Sequence, residues 1–131
     1  RFELRCVPPD KVAAELADVS YGFVLREDNI VNHVATPTKL SSYMSAGVIP
    51  IYSDCLDSFA NLARGLCFAV SIGESVDAES VVRSCSGVIR REDVCIEYRK
   101  VFSTYYSREY YIEKLIPLLS EALGGGKRID G

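Results

Sequence analysis

At 131 residues, 48% hydrophobic and 25% charged, the chain has the composition of a globular domain, large enough for one core and too short for two comfortable ones. A net charge of −3 with scattered Lys and Arg argues against a phosphate-backbone footprint, so no nucleic-acid partner is expected. No apolar run approaches the roughly 20 residues of a membrane span and no signal peptide is legible, which excludes a transmembrane segment and points to a cytoplasmic chain.

The elements follow in order. Arg1 stands where an initiator Met would, and Phe2 to Val7 already reads as a strand, so the chain is expected to be a piece of a longer protein truncated at its amino-terminal side. After Pro8 and Pro9, Asp10 is a good N-cap for KVAAELADV, whose Val12, Ala13, Leu16 and Val19 have helical spacing. Tyr21 to Leu25 is the second expected strand and Val48 to Tyr52 the third, with imperfect pairing around Pro50 because proline cannot donate to a sheet ladder. A helix over Ser58 to Arg64 leads to LCFAV, Leu66 to Val70, a continuous apolar run of the parallel-sheet kind. Asp77 to Cys85 reads as a surface helix. Glu92 to Leu123 reads as a long helical tail interrupted near Ser103 to Ser107, with Pro117 kinking its last part. The alternation of strand and helix predicts an α/β fold with a Rossmann-like parallel sheet and helices on both faces. One domain is expected over residues 1–123, with GGGKRIDG making residues 124–131 a flexible tail. The five cysteines, Cys6, Cys55, Cys67, Cys85 and Cys95, form neither a zinc knuckle nor a CxxC pair and read as buried thiols.

The stretch from Arg26 to Tyr52 carries the chemistry. Thr36 is placed as N-cap, Pro37 suits the first helical position, and Gly47 is placed to end the helix in a left-handed turn. The free N–H groups at such a start, with Lys39 beside them, suit a phosphate or diphosphate, while Leu40, Tyr43 and Met44 face the core. Ligands of parallel sheets bind outside the carboxyl ends of the strands, where the Arg26 to Lys39 loop leaves its strand.

ADVSYGFVLREDNIVNHVATPTKLSSYMSAGVIPI resembles the nucleotide-sugar-binding segment of GT-B glycosyltransferases related to family 4. The match is strong over about a third of the chain and loose elsewhere, with YRKVFSTYYSREYYIEKLIPLLSEAL similar to the family's closing helices. The resemblance implies the carboxyl-terminal, donor-binding domain of a two-domain enzyme of polysaccharide or cell-surface glycan biosynthesis. The partners it implies are a nucleoside diphosphate sugar, the amino-terminal acceptor-binding domain of the same protein, and a glycan or lipid-linked acceptor. No cofactor or metal is implied, the whole protein would be cytoplasmic or peripheral at the inner membrane face, and the isolated domain would be inactive. Carried over residue by residue, Thr36, Pro37, Thr38 and Lys39 face the donor diphosphate; Arg26, Asn29 and Asn32 lie on the preceding loop within reach of the sugar or phosphate. Ser42 stands where the family has a glutamate that binds ribose hydroxyls, and the family's other glutamate falls near Val34, so no glutamate pair is present; Glu27 is a possible substitute from the loop. No residue is assigned to catalysis.

Each feature also has a plain reading. Thr36, Pro37 and Lys39 also serve simple helix capping, and His33, the only histidine, reads as solvated or structurally bonded rather than as a base. REDN reads as a solvated loop, and Arg90-Arg91-Glu92-Asp93 as a helix start. Tyr98, Tyr105, Tyr106, Tyr110 and Tyr111 crowd the tail and read as an interdomain surface. A non-catalytic doubly wound nucleotide-binding or protein-interaction module is the alternative.

Overall fold

The computed structural model describes residues 3–73 and 77–124. The chain is α/β, and a three-stranded parallel sheet is flanked by helices. The chain divides into two units, Arg1–Tyr98 and Arg99–Gly131.

The first unit holds the sheet. Strands β1 (Tyr21–Val24), β2 (Ile49–Ser53) and β3 (Val70–Ile72) lie side by side in sequence order. Between β1 and β2 come α2 (Ile30–Val34) and α3 (Thr38–Ser45); between β2 and β3 comes α4 (Asp57–Ala63). Every residue of β2 is buried, as a central strand covered on both faces requires. Against it pack Leu40 and Met44 of α3, both at most 2% exposed, while Tyr52 meets the Phe59 ring edge-on at 4.8 Å. Val94 and Tyr98 of α6 (Arg91–Tyr105) complete the buried set of this unit.

Pro50 sits in the central strand without breaking the ladder. Ile49 N–H donates to Ser20 C=O on the β1 side, so by the alternation of a parallel strand the Pro50 nitrogen faces the β3 side. There the pairing begins only one residue later, at Ile51 opposite Val70. On the β1 side Pro50 lies opposite Gly22. A Cβ on Gly22 would stand 2.5 Å from the Tyr43 ring, so glycine is what lets α3 approach the sheet.

Two expected strands are corrected. Residues 3–8 form no strand: Leu4 is fully exposed, and Arg5 pairs with Glu3 at 2.8 Å and with Glu15 at 3.0 Å instead of joining the sheet. Phe2 lies outside the described residues. Leu66 to Ala69 is also irregular, and β3 starts at Val70. The Glu97 carboxylate accepts from Cys67 N–H at 2.8 Å and Phe68 N–H at 3.0 Å, and the Tyr98 hydroxyl donates to Phe68 C=O. These groups are thereby taken by α6 rather than by a neighbouring strand.

The helix after Pro9 is shorter than its periodicity predicts. A 3-10 turn at Pro9–Lys11 passes into α1 (Val12–Glu15), and Asp10 lies inside the turn rather than capping it. The Leu16 and Val19 carbonyls accept from the Arg91 guanidinium instead of from a continuing helix. Among the cysteines only Cys55 is buried; Cys6 and Cys67 are exposed, Cys85 and Cys95 half-buried, and all five are free. Helix α5 (Ala78–Ser84) matches expectation, with the Asp77 carboxylate accepting from Ser80 N–H at 2.7 Å as N-cap.

The second unit contains the end of α6 and α7 (Arg108–Gly124). Ser107 Oγ accepts from Tyr110 N–H at 3.1 Å and restarts the helix after the break at Tyr106 and Ser107. Tyr105, Tyr110 and Tyr111 stack edge-on in series at 5.8 and 5.6 Å, with Lys114 over the Tyr110 ring at 4.6 Å. Tyr98 does not belong to this group: it is 1% exposed in the core of the first unit. Pro117 lies inside α7, and residues 125–131 of the expected tail lie outside the described residues. Among the described residues no helix is long and apolar enough to cross a membrane.

Candidate functional site

Parallel strands bring their carboxyl ends to one edge, and three loops meet there. Leu25 to Asp28 follows β1, Asp54 and Cys55 follow β2, and Gly73 follows β3; with Ser53 and Ile72 they line a cleft of about 390 Å³. The backbone of this edge is tied together by β2: Ser53 Oγ accepts from Arg26 N–H at 2.8 Å, and the Cys55 thiol reaches Arg26 C=O and Glu27 C=O at 3.8 and 3.6 Å. Burial pushes the Cys55 thiol up, and the carboxylates of Asp28, Asp54 and Asp57 add to the effect, so it remains a thiol that donates. Three of the side chains that line the cleft are acidic, Glu27, Asp28 and Asp54, against one cation, Arg26. Such a lining repels a diphosphate and suits the hydroxyls of a neutral ligand.

Helix α3 starts at the same edge, because the connection between parallel strands β1 and β2 must run back against them. Its cap is shifted by one residue from expectation. Pro37, with φ −66° and ψ 117°, is the N-cap, no side chain caps the helix, and Thr38 is its first residue. Thr36 turns aside instead, its Oγ1 lying 3.4 Å from Ser58 Oγ, which donates to Ala35 C=O. Thr38 and Lys39 are exposed, and among the described residues Lys39 makes no ion pair. The helix closes as predicted at Gly47, whose φ of +69° is the left-handed conformation that favours glycine.

The predicted site residues therefore divide. Arg26 lines the cleft; Thr38, Lys39 and Ser42 lie on α3, outside the residues that line it. Ser42 Oγ donates to Thr38 C=O at 3.2 Å, so the hydroxyl is engaged by its own helix. Asn29 and Asn32 serve the loop itself, which folds into α2 where no helix was expected. Asn29 Oδ1 accepts from Asn32 N–H at 3.0 Å as N-cap, and Asn32 Nδ2 donates to Glu27 C=O at 2.9 Å.

Sequence reasoning missed the second set of carboxylates. Asp54 and Asp57 come directly after the buried strand β2, so the strand-end argument that singled out Arg26 after β1 applies equally to them. His33 joins the two loops. Its Nε2 lies 2.7 Å from Asp28 Oδ1 and its Nδ1 2.9 Å from Asp57 Oδ2, as the structurally bonded reading of this histidine requires. Those two bonds, Asp57 first and Asp28 second, raise the imidazole from its ordinary value.

Among the described residues no group of three or more His, Cys, Asp or Glu side chains is arranged to hold a metal ion. No family model, curated protein or solved structure matches the chain.

Proposed function

We propose that this chain is the donor-binding domain of a GT-B-type glycosyltransferase, whose whole protein transfers a sugar from a nucleoside diphosphate sugar to a glycan or lipid-linked acceptor. The observation that carries the reading is the amino end of α3, without a side-chain cap and exposed at the carboxyl edge of the sheet, with Lys39 beside it making no ion pair among the described residues. In the reaction, charge builds on the leaving diphosphate as the bond to the sugar breaks. Preorganised helix-terminal amides and an ammonium stabilise that charge without reorganising. The neutral sugar would then lie toward the acid-lined cleft, where Glu27 and Asp54 accept hydrogen bonds from hydroxyls and Arg26 approaches the phosphate side.

Calorimetry with Lys39→Ala tests this. Nucleoside diphosphate binding is expected to weaken by about 1.5–3 kcal/mol, the range of a charge-assisted hydrogen bond, while binding of the free nucleoside changes little. Equal losses for both ligands would take Lys39 away from the phosphates. A thermal-shift screen of UDP, GDP, ADP and CMP identifies the base, and silence from all four would sink the reading. The second reading is a non-catalytic α/β interaction module. The Ser42 hydroxyl, bonded back into α3 where the resembled family offers a carboxylate to ribose, favours it.

A further inference from the structure

The group that none of the preceding chemistry uses is the Asp28–His33–Asp57 bridge. His33 is the penultimate residue of α2, Asp57 is the first residue of α4, and Asp28 lies on the loop that walls the cleft. Both ring nitrogens face carboxylate oxygens at hydrogen-bond distance, 2.7 and 2.9 Å. A neutral imidazole has one N–H and one lone pair, so it can satisfy only one of two ionised carboxylates and must turn a lone pair on the other. Both contacts together require the imidazolium. Each helix end favours the same charges: a cation in the last turn of α2 and an anion in the first turn of α4.

We propose that His33 is a proton-operated latch, which as an imidazolium fastens α2 and the Leu25–Asp28 wall of the cleft to α4 and on losing its proton releases one side. Between α2 and α4 the other hydrogen bonds near the junction are long, Thr36 Oγ1 to Ser58 Oγ at 3.4 Å and Ser58 Oγ to Ala35 C=O at 3.2 Å, while the start of the wall stays held by Ser53 Oγ at Arg26 N–H. The remaining titratable and charged groups around the junction are Arg26 and Glu27 on the loop, Asp54 ahead of α4 and the Cys55 thiol. Glu27 and Asp54 are carboxylates whose charge favours the imidazolium, Arg26 opposes it, and the Cys55 thiol, held protonated, adds no charge. The linkage has one sign. A histidine held more basic in the folded chain than in the unfolded one contributes its full stabilisation below the unfolded value. That contribution disappears as pH rises through the folded value. The latch is therefore closed in acid and opens toward alkaline pH, and it stands whether or not the cleft binds a sugar nucleotide.

Because His33 is the only histidine, its ring resonances in the full chain are unambiguous. An NMR titration from about pH 5 to about pH 9, spanning the ordinary imidazole range, is expected to show its midpoint above that of the urea-unfolded chain. The backbone amides of residues 26–34, Asp57 and Ser58 should move with the same midpoint. Asp57→Asn and, separately, Asp28→Asn should each lower the midpoint and uncouple the amides on the side that lost its carboxylate. A His33 midpoint at or below the unfolded one, or amides that stay flat through the ring's titration, would reduce the bridge to a surface ion pair and overturn the latch. Either variant alone suffices for the comparison if the other disturbs the loop.

Discussion

The two edges of the sheet use charged side chains in opposite ways. At the amino edge the Arg91 guanidinium donates to three backbone carbonyls, Leu16, Val19 and Ala46, and the Tyr21 hydroxyl donates to Cys85 C=O at 3.0 Å. The space left there, between Tyr21, Gly47 and Arg91, is only about 140 Å³. At the carboxyl edge the only ion pairs among the described residues are those that charged groups make with one another. Asp28 and Asp57 hold His33, while no ion pair to Glu27, Asp54 or Lys39 occurs among the described residues. A charge that satisfies backbone carbonyls contributes to the fold, whereas one left in water at a cleft remains available to a ligand. The amino edge is thus where stability should be sensitive, and the carboxyl edge where binding should be.

Arg91→Met should show the largest loss of stability, about 1–3 kcal/mol for hydrogen bonds from a charged donor, read as a lowered denaturant midpoint with unchanged slope. Nucleoside diphosphate affinity should be untouched. An equally large effect on affinity would mean that the two edges are coupled. Gly47→Ala comes next, at about 1–2 kcal/mol for forcing an L residue into the left-handed region. The new Cβ would also stand 2.7 Å from the Cys95 sulfur. If this variant unfolds at the wild-type denaturant concentration, the turn into β2 is not under the constraint its φ indicates.

On the other edge, Lys39→Ala should leave stability within about 0.5 kcal/mol, as expected for an exposed, unpaired side chain. A larger loss would place Lys39 in the fold rather than in a binding site. The smallest effect on binding is expected from Ser42→Glu, which replaces a hydroxyl bonded to its own helix by a carboxylate one turn from the helix start. It should strengthen binding of ribose nucleotides by about 1 kcal/mol relative to their 2′-deoxy counterparts, the scale of one net hydrogen bond. Weaker binding of every nucleotide would mean that the carboxylate meets the diphosphate, and would remove position 42 from the ribose.

Much of the architecture was legible because its signals are local. Residues 21–24, 49–53, 57–63 and 78–84 take the structures their patterns predict, the tail breaks at Tyr106 and Ser107, and Gly47 closes α3. Apolar spacing and a turn glycine each act within about one helical turn, so the sequence shows them directly. The same spacing placed Leu40 and Met44 in the core. Tertiary structure decided where the backbone and side-chain hydrogen bonds go. Leu66 to Ala69 has the composition of a strand, but a carboxylate thirty residues away takes its N–H groups. Arg91 looks like part of a charged helix start, yet its acceptor Leu16 C=O lies 75 residues back. Asp57 and His33 are 24 residues apart and meet only because α2 packs on α4. The sequence carries every one of these side chains, but which polar group meets which depends on packing between elements, and no local periodicity records that.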